Sequence, residues 1–433
     1  MHLITQKNYR MLPSAGLYVF CLIAPATAAA QDGPSLGGIP VDFILFGLTL
    51  LGVALFHRHT LSIALGGLGV IVLYQLNVTG FNEGPGTTGL GLHLQHEWVV
   101  LTNLLCLLLG FALLARHFEN SGLPALLPRC LPDDWKGAFS LLLIVFVLSS
   151  FLDNIAATLI GGTMLRALFA RVHIGYLAAI VAAANAGGAG SVMGDTTTTM
   201  IWIAGVDPRE VLNAYVGAGV AMIVFGIPAA IQQQNYSPIL KQGNKRVAPD
   251  WIRVIIVALI LLLAIGTNII MNVKYGEWAH RFPFIGVAIW VAIALSLPWR
   301  RPDWEVLPEA FKGSVFLLAL VTCASLMPVE ALPPASWPTA LGLGFVSAIF
   351  DNIPLTALAL KQGGYDWGFL AYAVGFGGSM LWFGSSAGVT LANMYGEAKS
   401  VGAWLRHAWY IPLAYVAGFF AMWLVLGWHA ATT

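Results

Sequence analysis

The stretch Asn185 to Trp202, NAGGAGSVMGDTTTTMIW, sets Asp195 behind four glycines and ahead of four threonines, with apolar sequence on both sides. Carboxylate, hydroxyl and carbonyl oxygens are the donors that a hard cation takes. Two more aspartates sit in a matching pair of motifs. Ser149 to Ala156 reads SSFLDNIA and Ser347 to Pro354 reads SAIFDNIP, sharing Ser-x-x-x-Asp-Asn-Ile around Asp153-Asn154 and Asp351-Asn352. The glycine stretch recurs as well: GGAGSVMGDT from Gly187 matches GGSMLWFGSS from Gly377, with Ser385-Ser386 standing where the first copy has Asp195-Thr196. Two independent motifs repeated in the same order point to an internal duplication.

The solvent around these groups follows from composition. The 433 residues are 58% hydrophobic and 9% charged, and apolar stretches of about twenty residues recur, so the chain reads as a polytopic membrane protein and a soluble fold is excluded. In that setting a carboxylate is costly and by default marks an ion or proton pathway. The net charge is +1, with no basic face or tail, so nucleic acid is not an expected partner. Cys21, Cys106, Cys130 and Cys323 are scattered without disulfide or zinc spacing and read as small apolar residues.

Residues 1–30 place Lys7 and Arg10 before a short apolar run that ends in Ala28-Ala29-Ala30, the pattern of a secretory signal peptide. Cleavage would leave the mature amino terminus outside the cytoplasm. Membrane spans are expected near 40–56, 60–76, 98–115, 210–231, 251–270, 283–298, 313–328 and 408–428. Four segments, 138–170, 174–205, 337–360 and 367–397, are irregular. Ala138 to Leu165 carries no charge but Asp153; as a straight helix it would run about 42 Å against a hydrocarbon layer of roughly 30 Å. It is too long for one upright span and too short for two. A re-entrant hairpin bending at Asp153-Asn154 fits, with a second at 337–360. Arg116, Lys136, Arg171, Lys241, Lys245, Arg246, Arg300 and the other basic loop residues then face the cytoplasm, and only Arg209, Lys274, Arg281 and Lys361 lie outside. The two hairpins open to opposite faces, which gives the copies inverted topology.

From Ile174 to Gly205 a continuous helix would be about 48 Å long, so the glycines mark an unwound centre, tolerated at membrane depth only where protein or a watery cavity surrounds it. Inverted repeats with broken helices are the architecture in which secondary transporters hold their cargo near the midplane. Each polar residue also has a purely structural use. Asp153-Asn154 and Asp351-Asn352 can cap helices, the threonines can return hydroxyl bonds to helix carbonyls, and paired glycines can be close-packing surfaces. His57, His59, His93 and His96 fall in loops or at span ends, and His93-x-x-His96 reads as solvated rather than metal-binding.

SSFLDNI, NAGGAGSVMGDTTTTMIW, DNIPL and GGSMLWFGSSAGV together resemble the signature segments of NhaD-type sodium/proton antiporters, within an ion transporter superfamily that also holds dicarboxylate and arsenite carriers. The likeness runs from about residue 98 to 428. It implies functional polar residues at Asp153, Asn154, Asn185, Asp195, Thr197, Thr198, Ser347 and Asn352, with a serine from Ser385-Ser386; the duplicated tip adds Asp351. Ala156 and Val192 stand where that family usually has proline, which bears on the shape of the first hairpin.

The expected protein is thus an all-α polytopic membrane protein with two inverted-topology repeats, each pairing a re-entrant helical hairpin with a discontinuous transmembrane helix. Its expected divisions are a signal peptide (1–30), an N-terminal helix pair (31–97), repeat 1 (98–240), connecting helices (241–300) and repeat 2 (301–433). The expected activity is exchange of sodium, with lithium as a second candidate cargo, for protons across a bacterial inner membrane, both termini periplasmic. No enzyme chemistry and no organic cofactor are required; the partners are the ions, the bilayer and, as a compatible assembly, a second copy. A sodium-coupled anion carrier is the alternative, although both hairpin tips read Asp-Asn-Ile and would repel an anion. An intramembrane aspartyl protease is remote, since Val192 occupies the first glycine of its Gly-x-Gly-Asp motif.

Overall fold

The computed structural model describes residues 34–431 apart from 57–58, 124–130, 193, 241–247, 276–277 and 279–280. The expected signal peptide and the basic loop at 241–246 lie outside the described residues. A two-residue antiparallel ribbon, Ser35–Leu36 with Ile39–Pro40, opens the described chain, and its turn uses Gly37 and Gly38 at positive φ. The rest is mainly helical.

The helices are α1 (Val41–Leu55), α2 (Thr60–Tyr74, continued by a π turn over Gln75–Thr79), α3 (Gly86–Glu119), α4 (Trp135–Ser149), α5 (Asn154–Leu168), α6 (Ile174–Ala189), α7 (Thr196–Ile203), α8 (Pro208–Leu212), α9 (Ala214–Tyr236), α10 (Trp251–Lys274), α11 (Phe284–Ser296), α12 (Leu307–Ser325), α13 (Trp337–Ser347), α14 (Asn352–Gln362), α15 (Trp367–Gly377), α16 (Ser386–Met394), α17 (Val401–His407) and α18 (Tyr410–Val425). Among the described residues five helical stretches are long and apolar enough to cross a membrane, 60–79, 86–119, 208–236, 251–271 and 304–325, and six if α17 and α18, bent by 59°, count as one. The protein is a polytopic membrane protein.

Boundaries depart from expectation where polar residues find partners inside the fold. The third span was expected to begin near 98, but α3 starts at Gly86 and runs 34 residues, about 51 Å, so the boundary expected between 97 and 98 falls within it. His93 is the reason. It is 4% exposed, not solvated as expected. Its Nδ1 lies 3.0 Å from Glu83 Oε1 and its Nε2 3.0 Å from Ser325 Oγ, so the fold rather than water satisfies that polar turn. His96 is exposed. At the other face Asp250 caps α10 through the amides of Ile252 and Arg253. A 2.7 Å bond from Arg300 holds its carboxyl below the ordinary carboxylate range.

Three apolar clusters organise the bundle. The largest joins α4, α5, α6, α9, α13, α15, α16 and α18; a second joins α1, α2, α3 and α12 with the inner side of α14; a third joins α3, α10 and α11 with Trp202 and Ile203 of α7. Helix α6, IGYLAAIVAAANAGGA, is buried from Gly175 to Ala189. Its alanines and glycines allow neighbouring backbones to close in, which is how helices associate where lipid offers no hydrophobic drive. Phenols inside this body are tied to backbone: Tyr410 donates to Gly175 O at 2.8 Å and Tyr415 to Leu341 O at 2.8 Å. An unpaired hydroxyl in hydrocarbon would cost several kcal/mol, of order 4 to 8 against an alkane reference.

Candidate functional site

The four irregular segments each fold as helix, turn, helix. Helices α4 and α5 meet at residues 150–153 and α13 and α14 at 348–351, while α6 and α7 are separated by 190–195 and α15 and α16 by 378–385. The turns match in pairs. Asp153 and Asp351 precede α5 and α14 with φ −54°, ψ 144° and φ −54°, ψ 142°. Asp195 and Ser385 precede α7 and α16 with φ −147°, ψ 147° and φ −145°, ψ 153°.

Close backbone contacts explain the glycines. A Cβ on Gly188 would stand 2.5 Å from Gly194 O and 3.2 Å from Asp195 Cβ; one on Gly378 would stand 2.7 Å from Gly384 O and 3.1 Å from Ser385 Cβ. Each break folds back on its own glycine. Hydroxyls then fasten the breaks to the hairpins: Ser149 donates to Ala184 O at 2.6 Å and Ser347, its counterpart, to Val374 O at 2.8 Å. The expected site residue Ser347 is therefore a buried strut between α13 and α15. In the first copy Ser191 adds a bond to Ser150 O at 2.6 Å.

Asp195 stands at the centre, 2% exposed. Although it occupies the capping position of α7, its side chain caps nothing; both oxygens face amides from the two tips. Asn154 Nδ2 donates to Oδ1 at 3.2 Å and Asn352 Nδ2 to Oδ2 at 2.9 Å. Asn154 also donates to Asn185 Oδ1 at 3.1 Å, and Asn185 Nδ2 donates to Ser379 Oγ and Ser385 Oγ, each at 3.0 Å. Asn154, Asn185, Asp195, Asn352 and Ser385 thus form one buried network. Ser379 belongs to it and was missed. Its signal was present, because it directly follows the second Gly-Gly pair.

The threonines divide by role. Thr198 donates to Asp195 O at 2.8 Å and Ser191 O at 2.5 Å, and Thr199 to Asp195 O and Val192 O at 3.0 Å each, so both pin the unwound carbonyls. Thr197 differs. Its buried hydroxyl is directed at the Asp195 carboxylate and makes no other hydrogen bond among the described residues.

The tip aspartates are unequal. Asp351 accepts from Ile353 N at 3.1 Å and from Ser386 Oγ at 3.2 Å, and with Ser386 it lines a cavity of about 180 Å³ whose other walls include Leu50, Thr60 and Phe316. Asp153 makes no capping bond, and its buried Oδ1 lacks a partner among the described residues. Among the described residues no three His, Cys, Asp or Glu side chains gather as a metal-holding group. The network instead offers one carboxylate with amide and hydroxyl oxygens.

Known proteins resemble the chain along much of its length. The chain is 25% identical over 400 residues to "Sodium/proton antiporter 1" of Arabidopsis thaliana, covering 81% of this chain and 66% of that protein. It is 26% identical over 403 residues to "Sodium/proton antiporter 2" of the same plant, covering 81% and 91%, and 27% identical over 282 residues to the "Na(+)/H(+) antiporter NhaD" of Alkalimonas amylolytica, covering 55% and 57%. The chain is a homologue of NhaD-type sodium/proton antiporters. No protein-family model matches it. The chain spans a little under two thirds of the first plant relative's length and just over half of the NhaD protein's. The similarity to the two plant antiporters covers about four fifths of the chain, and that to the NhaD protein just over half.

Proposed function

We propose that the protein exchanges sodium for protons across a bacterial inner membrane, with Asp195 as the group for which the two compete. The observation that carries this reading is the arrangement around Asp195: a buried carboxylate held at each oxygen by an asparagine from a different tip, with the buried hydroxyl of Thr197 beside it. The antiporter homologues support it.

Elementary electrostatics supplies the mechanism. Removing a carboxylate from water favours its neutral, protonated form, whereas a cation alongside favours the charged form. One carboxylate therefore holds a proton or a cation but not both. Without a cation, Asn154 and Asn352 give their N–H groups to the carboxylate. An amide carries a carbonyl oxygen as well, so a rotation of each turns an acceptor towards an incoming ion, and Thr197 adds a lone pair. Loading sodium drives the proton off, and the reverse exchange on the other face completes the cycle. In this proposal the two tips and two breaks, as inverted repeats, present Asp195 to each side in turn by relative motion of the helix bodies. Lithium, with the same charge and preference for oxygen, is a second cargo.

The test is proton movement followed with a pH-sensitive dye in proteoliposomes, adding sodium, lithium, potassium and succinate in turn. Sodium alone should release the imposed gradient. A response that required succinate would favour the anion carrier instead and reduce Asp195 to a co-ion role.

A further inference from the structure

The cavity beside the second tip lies between two parts of the fold. The tip and α16 bring Asp351, Ser386 and Val389 to one side, and α1 and α12 bring Leu50, Phe316 and Leu320 to the other. Ala54 and Thr60 line it too, at the end of α1 and the start of α2, so the space runs from a tip carboxylate to a turn at the end of two helices. Its chemistry is divided in the same way. Asp351 Oδ1 accepts from Ile353 N and Oδ2 from Ser386 Oγ, both neutral donors, and among the described residues no Lys, Arg or His lines the cavity. Thr390, the next hydroxyl along α16, donates to Ser386 O at 2.8 Å. The far wall is aliphatic and aromatic. At about 180 Å³ the space is larger than the roughly 150 Å³ in which an apolar protein cavity takes a benzene ring.

We propose that this cavity binds organic monocations that join a planar amidinium-type head to one apolar ring, and that a molecule seated there stops exchange. The head supplies the positive N–H donors that a carboxylate with neutral partners lacks, and each carboxylate oxygen keeps a lone pair for it. The ring covers the apolar wall. A bare alkali ion would meet one carboxylate and leave that wall wet, and an anion would meet a like charge. The occupant would also tie Asp351 on the tip to α1 and α12, two parts that must shift against each other in an alternating-access cycle. The binding half stands on the cavity alone; the blocking half rests on the reading of the protein as a sodium/proton exchanger.

Benzamidinium, benzamide and benzoate have nearly the same shape and differ in charge, and their binding to the purified full chain is read by ligand-observed NMR titration. Benzamidinium should bind about tenfold more tightly than either of the others, the margin of a charge-assisted pair over a neutral bond. Asp351→Asn should erase most of that margin, while Val389→Trp, which fills the space, should remove binding of all three. If Val389→Trp fails to insert, the charge series on wild type and Asp351→Asn still decide. Equal affinities for the three in the wild type, or benzamidinium binding unchanged in Asp351→Asn, would overturn the site. In proteoliposomes saturating benzamidinium should suppress sodium-driven proton movement, and Asp351→Asn should need about tenfold more of it. Undiminished exchange with benzamidinium bound overturns the blocking half alone. A wild type that binds benzamidinium yet moves no protons with sodium sinks the exchange reading and leaves the site.

Discussion

Asp195 and Ser385 hold the same backbone place in the two motif copies, each the extended residue before the second half of a broken helix, yet one brings a charge to the site and the other a hydroxyl. Around them the copies agree in scaffold and differ in chemistry. Asn154 and Asn352 both reach Asp195, and Ser149 and Ser347 both strut a hairpin arm to a broken helix. Asn185 in the first copy corresponds to Gly375 in the second, and Ala189 to Ser379. Each copy contributes a tip with an Asp-Asn pair, and the paired break position carries a carboxylate in one copy and a hydroxyl in the other. A single central carboxylate suits competition: two adjacent charges would each depend on the other's protonation, and like charges in a dry site disfavour joint ionisation.

The sharpest way to break this comparison is to exchange the chemistry of the two equivalent positions. Asp195→Asn keeps shape but loses both the proton and the charge, so sodium-driven proton movement should fall to background with the protein still inserted. Ser385→Ala removes one acceptor of the Asn185 amide, worth about 1 kcal/mol net, and should leave measurable exchange at reduced sodium affinity. Dye assays at matched protein levels in proteoliposomes compare them. Equal losses would mean that the copies are functionally symmetric and that Asp195 holds no special place.

A smaller contrast is expected between the tip aspartates. Asp351 is engaged by Ile353 N at Oδ1 and by Ser386 Oγ at Oδ2; an asparagine there keeps the oxygen for Ile353 N, and its amide nitrogen can donate to Ser386 Oγ. Asp153 has a buried Oδ1 without a partner among the described residues, and no side chain engages it as Ser386 engages Asp351. Asp153→Asn should therefore lower turnover by about tenfold and Asp351→Asn by a few-fold, within the range of one charge-assisted bond. A larger loss at Asp351 would shift the second polar role to the cavity beside Ser386.

These contrasts were only half visible in the sequence. The breaks at 190–195 and 348–351 were legible because chain length, hydrocarbon thickness and glycine content leave few ways to pack such segments. Asp195 stood out through the cost of its charge. Which threonine matters was not legible, since Thr197, Thr198 and Thr199 are identical in type and only the direction of each hydroxyl separates a clamp from a free ligand. Ser379 was missed because its importance comes from Asn185, which faces it across the bundle. His93 was misjudged for the same reason: its partners, Glu83 and Ser325, lie elsewhere in the chain.

The finest test separates neighbouring threonines. Thr197→Val deletes a hydroxyl directed only at the Asp195 carboxylate, whereas Thr198→Val deletes the bonds that hold Ser191 O and Asp195 O in place. Losing one oxygen ligand of about 1 kcal/mol should raise the half-saturating sodium concentration roughly fivefold in Thr197→Val. Thermal stability should be unchanged. Thr198→Val leaves two buried carbonyls less satisfied and should lower the melting temperature along with turnover. The pH dependence sets the two apart again. Each proton bound at Asp195 removes the charge that holds the ion, so sodium affinity should weaken as pH falls and level off once the carboxyl is ionised. Thr197→Val should displace that curve to higher sodium at every pH without moving its bend, because the hydroxyl contributes to the ion's shell and carries no titrating proton. In Thr198→Val the bend itself should shift, since the carboxylate's own seat has loosened. Curves of the same shape and position in both variants would remove Thr197 from the cation's shell and leave it, with Thr198 and Thr199, as a support of the break.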